Sequence, residues 1–153
     1  MAEFRPLART SGVVVQDLDD EMLVYDRERD IACRLNRTAA LVWKSSDGTR
    51  TVEDLVAVLA EELGTLADED MVMIALDNLS QNGLIESGYE ARSSNEARIT
   101  RRRFIRRVGV VGAAAVALPI VHSLVVPPAA AAQSGGGPYP PVYYFKQVKV
   151  LSR

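Results

Sequence analysis

Ile31-Ala32-Cys33-Arg34-Leu35-Asn36-Arg37-Thr38-Ala39-Ala40-Leu41-Val42-Trp43-Lys44-Ser45-Ser46-Asp47-Gly48 is the stretch in which the chain changes period. Ile31, Cys33 and Leu35 alternate with Ala32 and Arg34, which is the two-residue repeat of a strand with one face toward a core. From Ala39 the apolar residues cluster instead, as Ala39, Leu41, Val42 and Trp43, and predict a helix over Thr38 to Ser46 that Asp47-Gly48 breaks. Asn36 stands at the junction, where its side-chain oxygen can accept from a free amide of the helix's first turn.

Upstream, Val13-Val14-Val15 and Met22-Leu23-Val24-Tyr25 are β-favouring runs, separated by the acidic turn Asp17-Leu18-Asp19-Asp20 and closed by the charged run from Asp26 to Asp30. Three short antiparallel strands in a meander precede everything helical. Downstream, Thr51 and Asp54 form a capping-box variant before Val52, Leu55, Val56, Leu59 and Leu63, and Gly64 ends that helix. Asp68 caps a third helix with one stripe of Val72, Ala75, Leu76 and Leu79 and an adjacent one of Met71, Ile74 and Asn78, until Gly83. Leu84-Ile85 then returns apolar chain to the core. The class is α+β: a three-stranded antiparallel sheet plus three helices, followed by a hydrophobic helix and a disordered tail.

Charge divides the chain. Met1 to Glu90 holds 19 acidic against 8 basic residues, a balance of −11, and Ala91 to Arg153 holds 1 against 10, a balance of +9. Residues 1–90 are expected to form the domain, with 1–92 folding alone, and 91–99, including the polar Ser93 to Glu96, to be a linker. Residues 100–132 form an arginine-led apolar segment and 133–153 a tail rich in Gly, Pro and Tyr. Arg98, Arg101, Arg102, Arg103, Arg106 and Arg107 precede Val108 to Val126, 19 residues without formal charge if His122 is neutral, long enough for a transmembrane helix. The arginines would keep the N-terminal domain cytoplasmic and send the tail out. Cys33, the single cysteine, cannot form an internal disulfide and reads as a buried apolar residue. His122 reads as a buried neutral imidazole or a helix-end contact.

Two resemblances attach to these residues. Leu35-Asn36-Arg37-Thr38-Ala39-Ala40, Trp43, Asp47-Gly48, Thr51-Val52 and Gly83-Leu84-Ile85 resemble, in order and spacing, the PqqD-like family of peptide chaperones, or RiPP recognition elements, over about Gly12 to Glu86. The resemblance implies a winged-helix-like fold that holds the leader of a ribosomally made precursor peptide and presents it to a modifying enzyme, a radical SAM enzyme among the candidates. Strand addition to the third strand suits that role, since main-chain groups give affinity and pockets give choice. Carried onto this chain, the peptide-binding groove would involve Ala32 and Arg34 on the strand and Met71, Ile74 and Asn78 on the third helix; Met71 and Ile74 can equally widen the core stripe. Thr100-Arg101-Arg102-Arg103-Phe104-Ile105-Arg106 resembles a twin-arginine (Tat) export signal, with Arg101, Arg102 and Phe104 as its core and Ala130 and Ala132 as an Ala-x-Ala cleavage site. Its place behind a domain departs from that pattern, and a plain membrane anchor is the alternative to engagement of a Tat translocon.

No Ser/His/Asp or Cys/His arrangement, phosphate-cradling glycine loop or metal spacing is present, so the chain reads as neither an enzyme nor a cofactor binder. A membrane-tethered winged-helix regulator is a rival reading, but nucleic acid would be repelled by a domain at −11. A precursor whose own C-terminal tail is the exported substrate is a further alternative.

Overall fold

The computed structural model describes residues 4–86, 89, 93–108 and 118–125. Strands β1 (Val13–Asp17), β2 (Glu21–Asp26) and β3 (Ile31–Asn36) form the expected meander, and β4 (Val121–Val125) adds antiparallel to the outer edge of β3. Helices α1 (Arg37–Ser45), α2 (Val52–Leu63) and α3 (Glu69–Gln81) follow the first three strands, and α4 (Ser94–Val108) packs on α3.

Pairing fixes which sheet face meets the helices. Met22 lies opposite Leu35 and Val24 opposite Cys33, and all four are buried, so the alternation in β3 points where its period demands. They join Ala39, Val42 and Trp43 of α1, Leu55 and Leu59 of α2, and Met71, Val72, Ala75, Leu76 and Leu79 of α3 in one core. Trp43 buries its indole and donates its Nε1–H to the Leu84 carbonyl at 3.0 Å, which satisfies its polar edge.

The caps stand where their residue types require. Asn36 Oδ1 accepts from Ala39 N, Thr51 and Asp54 complete a reciprocal box, and Asp68 accepts from Met71 N at 2.9 Å. Gly83 ends α3 at φ +70°, a left-handed backbone conformation that favours glycine. Ahead of β1, the chain around Leu7 stitches two distant loops: Ala8 N donates to Ser46 O, Arg9 N to Leu84 O and Glu86 N to Leu7 O. Arg9 also pairs with the buried Asp26. Burial pushes the Asp26 carboxyl up, but the guanidinium and the Glu28 and Arg29 amides together hold it below the usual carboxylate range.

Four expectations change beyond Ile85. Ser93 to Glu96 is the start of α4 and no linker: Glu96 N donates to Ser93 Oγ at 3.3 Å while Ser93 N donates to the Glu96 carboxylate at 3.1 Å, a capping box. Among the arginines of α4, Phe104 is wholly buried in the core, so the core extends past residue 92. Arg103 makes a bidentate pair with Asp70, with Nε at 2.7 Å from Oδ2, and Arg107 pairs with Asp68. The basic half of the chain is thus in part the counter-charge of the acidic half.

The hydrophobic helix expected over Val108 to Val126 is the third. Val121–Val125 within it is a strand, which makes the sheet four-stranded, and no helix among the described residues is long and apolar enough to cross a membrane. Pro119 interrupts a helix in that run, and β-branched Val121 and Val125 suit a strand once an edge is there to pair with. His122 is exposed on β4, opposite Arg34, in place of the expected buried site. The tail, 133–153, lies outside the described residues.

Candidate functional site

The outer edge of β3 and the facing side of α3 form a groove, and residues 118–125 of the same chain run along it. β4 pairs with β3 in register from Leu35 opposite Val121 to Ile31 opposite Val125. The pairing continues irregularly ahead of β4, where Asn36 N donates to Ile120 O at 3.1 Å and Ile120 N donates to Asn36 Oδ1 at 3.0 Å.

Asn36 therefore has two duties. Its Oδ1 serves both the α1 cap, from Ala39 N at 3.1 Å, and Ile120 N, while its Nδ2 donates to the Leu118 carbonyl at 2.7 Å. A carboxamide can do this because it carries donors beside its acceptor, whereas an aspartate cap offers acceptors alone. From the other wall, Asn78 Nδ2 donates to the Pro119 carbonyl at 3.1 Å. Pro119 is buried between these hooks, and Leu118 and Val121 pack against the core.

The residues carried over by resemblance fall in two groups. Ala32, Arg34 and Asn78 meet the 118–125 segment: Ala32 is opposite Leu124, Arg34 opposite His122, and Asn78 bonds Pro119. Arg34 is exposed on the sheet's outer face, with the Glu21 carboxylate 3.5 Å away. Met71 is wholly buried in the core, and Ile74, 4% exposed, borders a cleft of about 270 Å³ between α3 and α4 with Asp77, Gln81 and Arg101. Asn36, read from sequence as a cap, is the groove residue that sequence reasoning missed; the choice of an amide for that cap was the available signal.

Burial pushes the Cys33 thiol up, away from the thiolate a nucleophile needs. Among the described residues no group of three or more His, Cys, Asp or Glu could hold a metal ion. Of the export-type motif, Arg101 and Arg102 are exposed on α4 and Phe104 is buried, while Ala130 and Ala132 lie outside the described residues.

Residues 21–85 match the family model for PqqD, coenzyme PQQ synthesis protein D. The match begins with β2 and ends at Ile85, so it covers the β3 edge and α3 and stops before α4 and β4. No curated protein and no solved structure matches the chain.

Proposed function

We propose that this chain is a non-catalytic peptide-binding protein that takes up an extended segment of a ribosomally made precursor by strand addition to β3 and holds it for a modifying enzyme. The observation that carries the reading is the β3 edge itself, which accepts an extended segment in full register with a polar hook on either wall. The PqqD match over the same elements supports it, since such proteins act as accessory partners for precursor peptides. A place at the membrane rests on the arginine motif of α4, and use of that motif as a signal requires Phe104 to leave the core.

Amide hydrogen exchange on the full chain tests the binding mode, with candidate precursor peptides taken from the neighbouring genes as ligands. Uptake along β3 is expected to alter protection at Ile31–Asn36 and Val121–Val125. Binding that leaves both strands unchanged would overturn strand addition at this edge.

A further inference from the structure

The segment that occupies the groove carries information about what the groove selects. Its head is the anchored part: Pro119 is buried, Ile120 half-buried, and Leu118 and Val121 lie against the core. The remainder pairs along β3 with its side chains in solvent, Leu124 at 63% and Val125 at 78% exposure. The polar hooks also fall on the head, using the carbonyls of Leu118 and Pro119 and the N–H of Ile120. Proline suits the middle position, where the hooks use the carbonyl and a proline has no N–H to leave unpaired. No residue from Leu118 to Val125 has a formal charge if His122 is neutral.

We propose that residues 118–125 are a resident ligand of this groove, bound in cis, and that they define the peptide class it takes: an extended, uncharged segment led by an apolar Leu-Pro-Ile-Val head. The inference rests on the reading of the β3 edge as a peptide site and adds the identity of its ligand. Arg34 sits on the outer face beside Glu21, whereas the head meets two carboxamides and apolar side chains, which reward uncharged chain and penalise a buried acid. Covalent attachment keeps the resident segment at an effective concentration in the millimolar range, so a peptide in trans binds well only when that segment is displaced.

The test uses the full chain and two labelled octapeptides, one with the sequence of residues 118–125 and one with glutamate at the positions of Ile120 and Val121, read by fluorescence anisotropy. Ile120→Pro removes the N–H that Asn36 accepts and opens the groove. Thermal melts followed by Trp43 select the folded variants, and Ile120→Glu, which weakens the resident head and leaves the groove's own side chains intact, serves as the second opening. Opened protein is expected to bind the native octapeptide about tenfold more tightly than wild type does, and to discriminate against the glutamate peptide. Equal binding by wild type and opened protein, or equal binding of both peptides, would overturn the self-recognition while leaving a peptide site at β3. Binding of neither peptide by folded, opened protein would remove the peptide site as well. Isotope-filtered NOEs on a mixture of labelled and unlabelled wild type provide a mutation-free check: β3–β4 contacts within one molecule are expected, and contacts between molecules would overturn the cis arrangement.

Discussion

Asn36 and Asn78 donate their side-chain amides to successive carbonyls of one segment, Asn36 to Leu118 at 2.7 Å and Asn78 to Pro119 at 3.1 Å. Because Asn36 also caps α1, one side chain links the start of a core helix to the strand that closes the sheet.

Two substitutions separate those duties. Asn36→Asp keeps an acceptor for Ala39 N but turns a donor to Leu118 O into a repelled oxygen, whereas Asn36→Ala removes both. Asn36→Ala is expected to destabilise the fold by about 2 to 3 kcal/mol, the sum of a cap and the lost hydrogen bonds, with Asn36→Asp costing less. Urea denaturation measures both, and hydrogen exchange at β4 should rise in both.

Phe104→Ala tests whether α4 belongs to the core. It is expected to cost about 3 to 5 kcal/mol, the range for emptying a buried aromatic site. Ile105→Ala, at a neighbouring residue 42% exposed, should stay within about 0.5 kcal/mol of wild type. A fragment ending at residue 92 lacks Phe104 and β4 and should melt below the full chain. Equal urea midpoints for Phe104→Ala and wild type would separate α4 from the fold.

The pair between Arg103 and Asp70 is measurable by a double-mutant cycle of Arg103→Gln and Asp70→Asn. Asp70 is nearly buried and Arg103 mostly exposed, so a small favourable coupling that falls as salt is added is expected. Arg107, whose guanidinium lies 3.6 Å from Asp70, keeps a counter-charge in place after Arg103 is removed and so limits the single-mutant loss.

Acid should unfold the protein through a few identifiable carboxylates. The Thr49 hydroxyl and amide and the Arg50 amide hold the Asp47 carboxyl at about 2, against its ordinary 3.8. Asp26 and Asp54 are also lowered. A depressed folded pKa means that the unfolded chain takes up protons first, so this stability is complete above the unfolded value and is lost as pH falls through the folded one. The melting temperature should therefore be flat above about pH 5 and fall toward about pH 2, and Asp47→Asn and Asp26→Asn should each flatten the acid limb.

Arg101→Lys/Arg102→Lys changes two exposed side chains of α4 and is expected to leave the melting temperature unchanged. If the motif serves export, a Tat route stalls in this variant while a charge-dependent membrane association persists; fractionation of cells reads the difference.

The elements up to Ile85 were legible because their signals are local. Asn36, Thr51 with Asp54, and Asp68 mark helix starts by chemistry that acts within one turn, and Ile31, Cys33 and Leu35 show their face through period two. What followed was legible only in part. Ser93 and Glu96 carried a capping box in a stretch that composition made look like a linker. Phe104 stands beside Ile105 among arginines, and which of the two is buried depends on a surface that α3 supplies. The run around Pro119 has too little periodicity to separate helix from strand, and the β3 edge decides between them. Of the candidate site, Asn78 and the β3 edge were readable, whereas the second duty of Asn36 requires knowing which segment arrives beside it.

The distance in sequence between β3 and β4 gives the groove a history during synthesis. The unit that includes β3 can close once Glu86 reaches Leu7, but Val121 lies 35 residues further along the chain. At about 5 to 20 residues per second, a ribosome needs about 2 to 7 seconds to deliver that interval. Throughout it the β3 edge stands as an uncovered row of main-chain donors and acceptors, a template for any strand nearby. The nascent chain is thus the form in which a partner meets this edge without a tethered competitor, and its own later residues end that opportunity when they emerge.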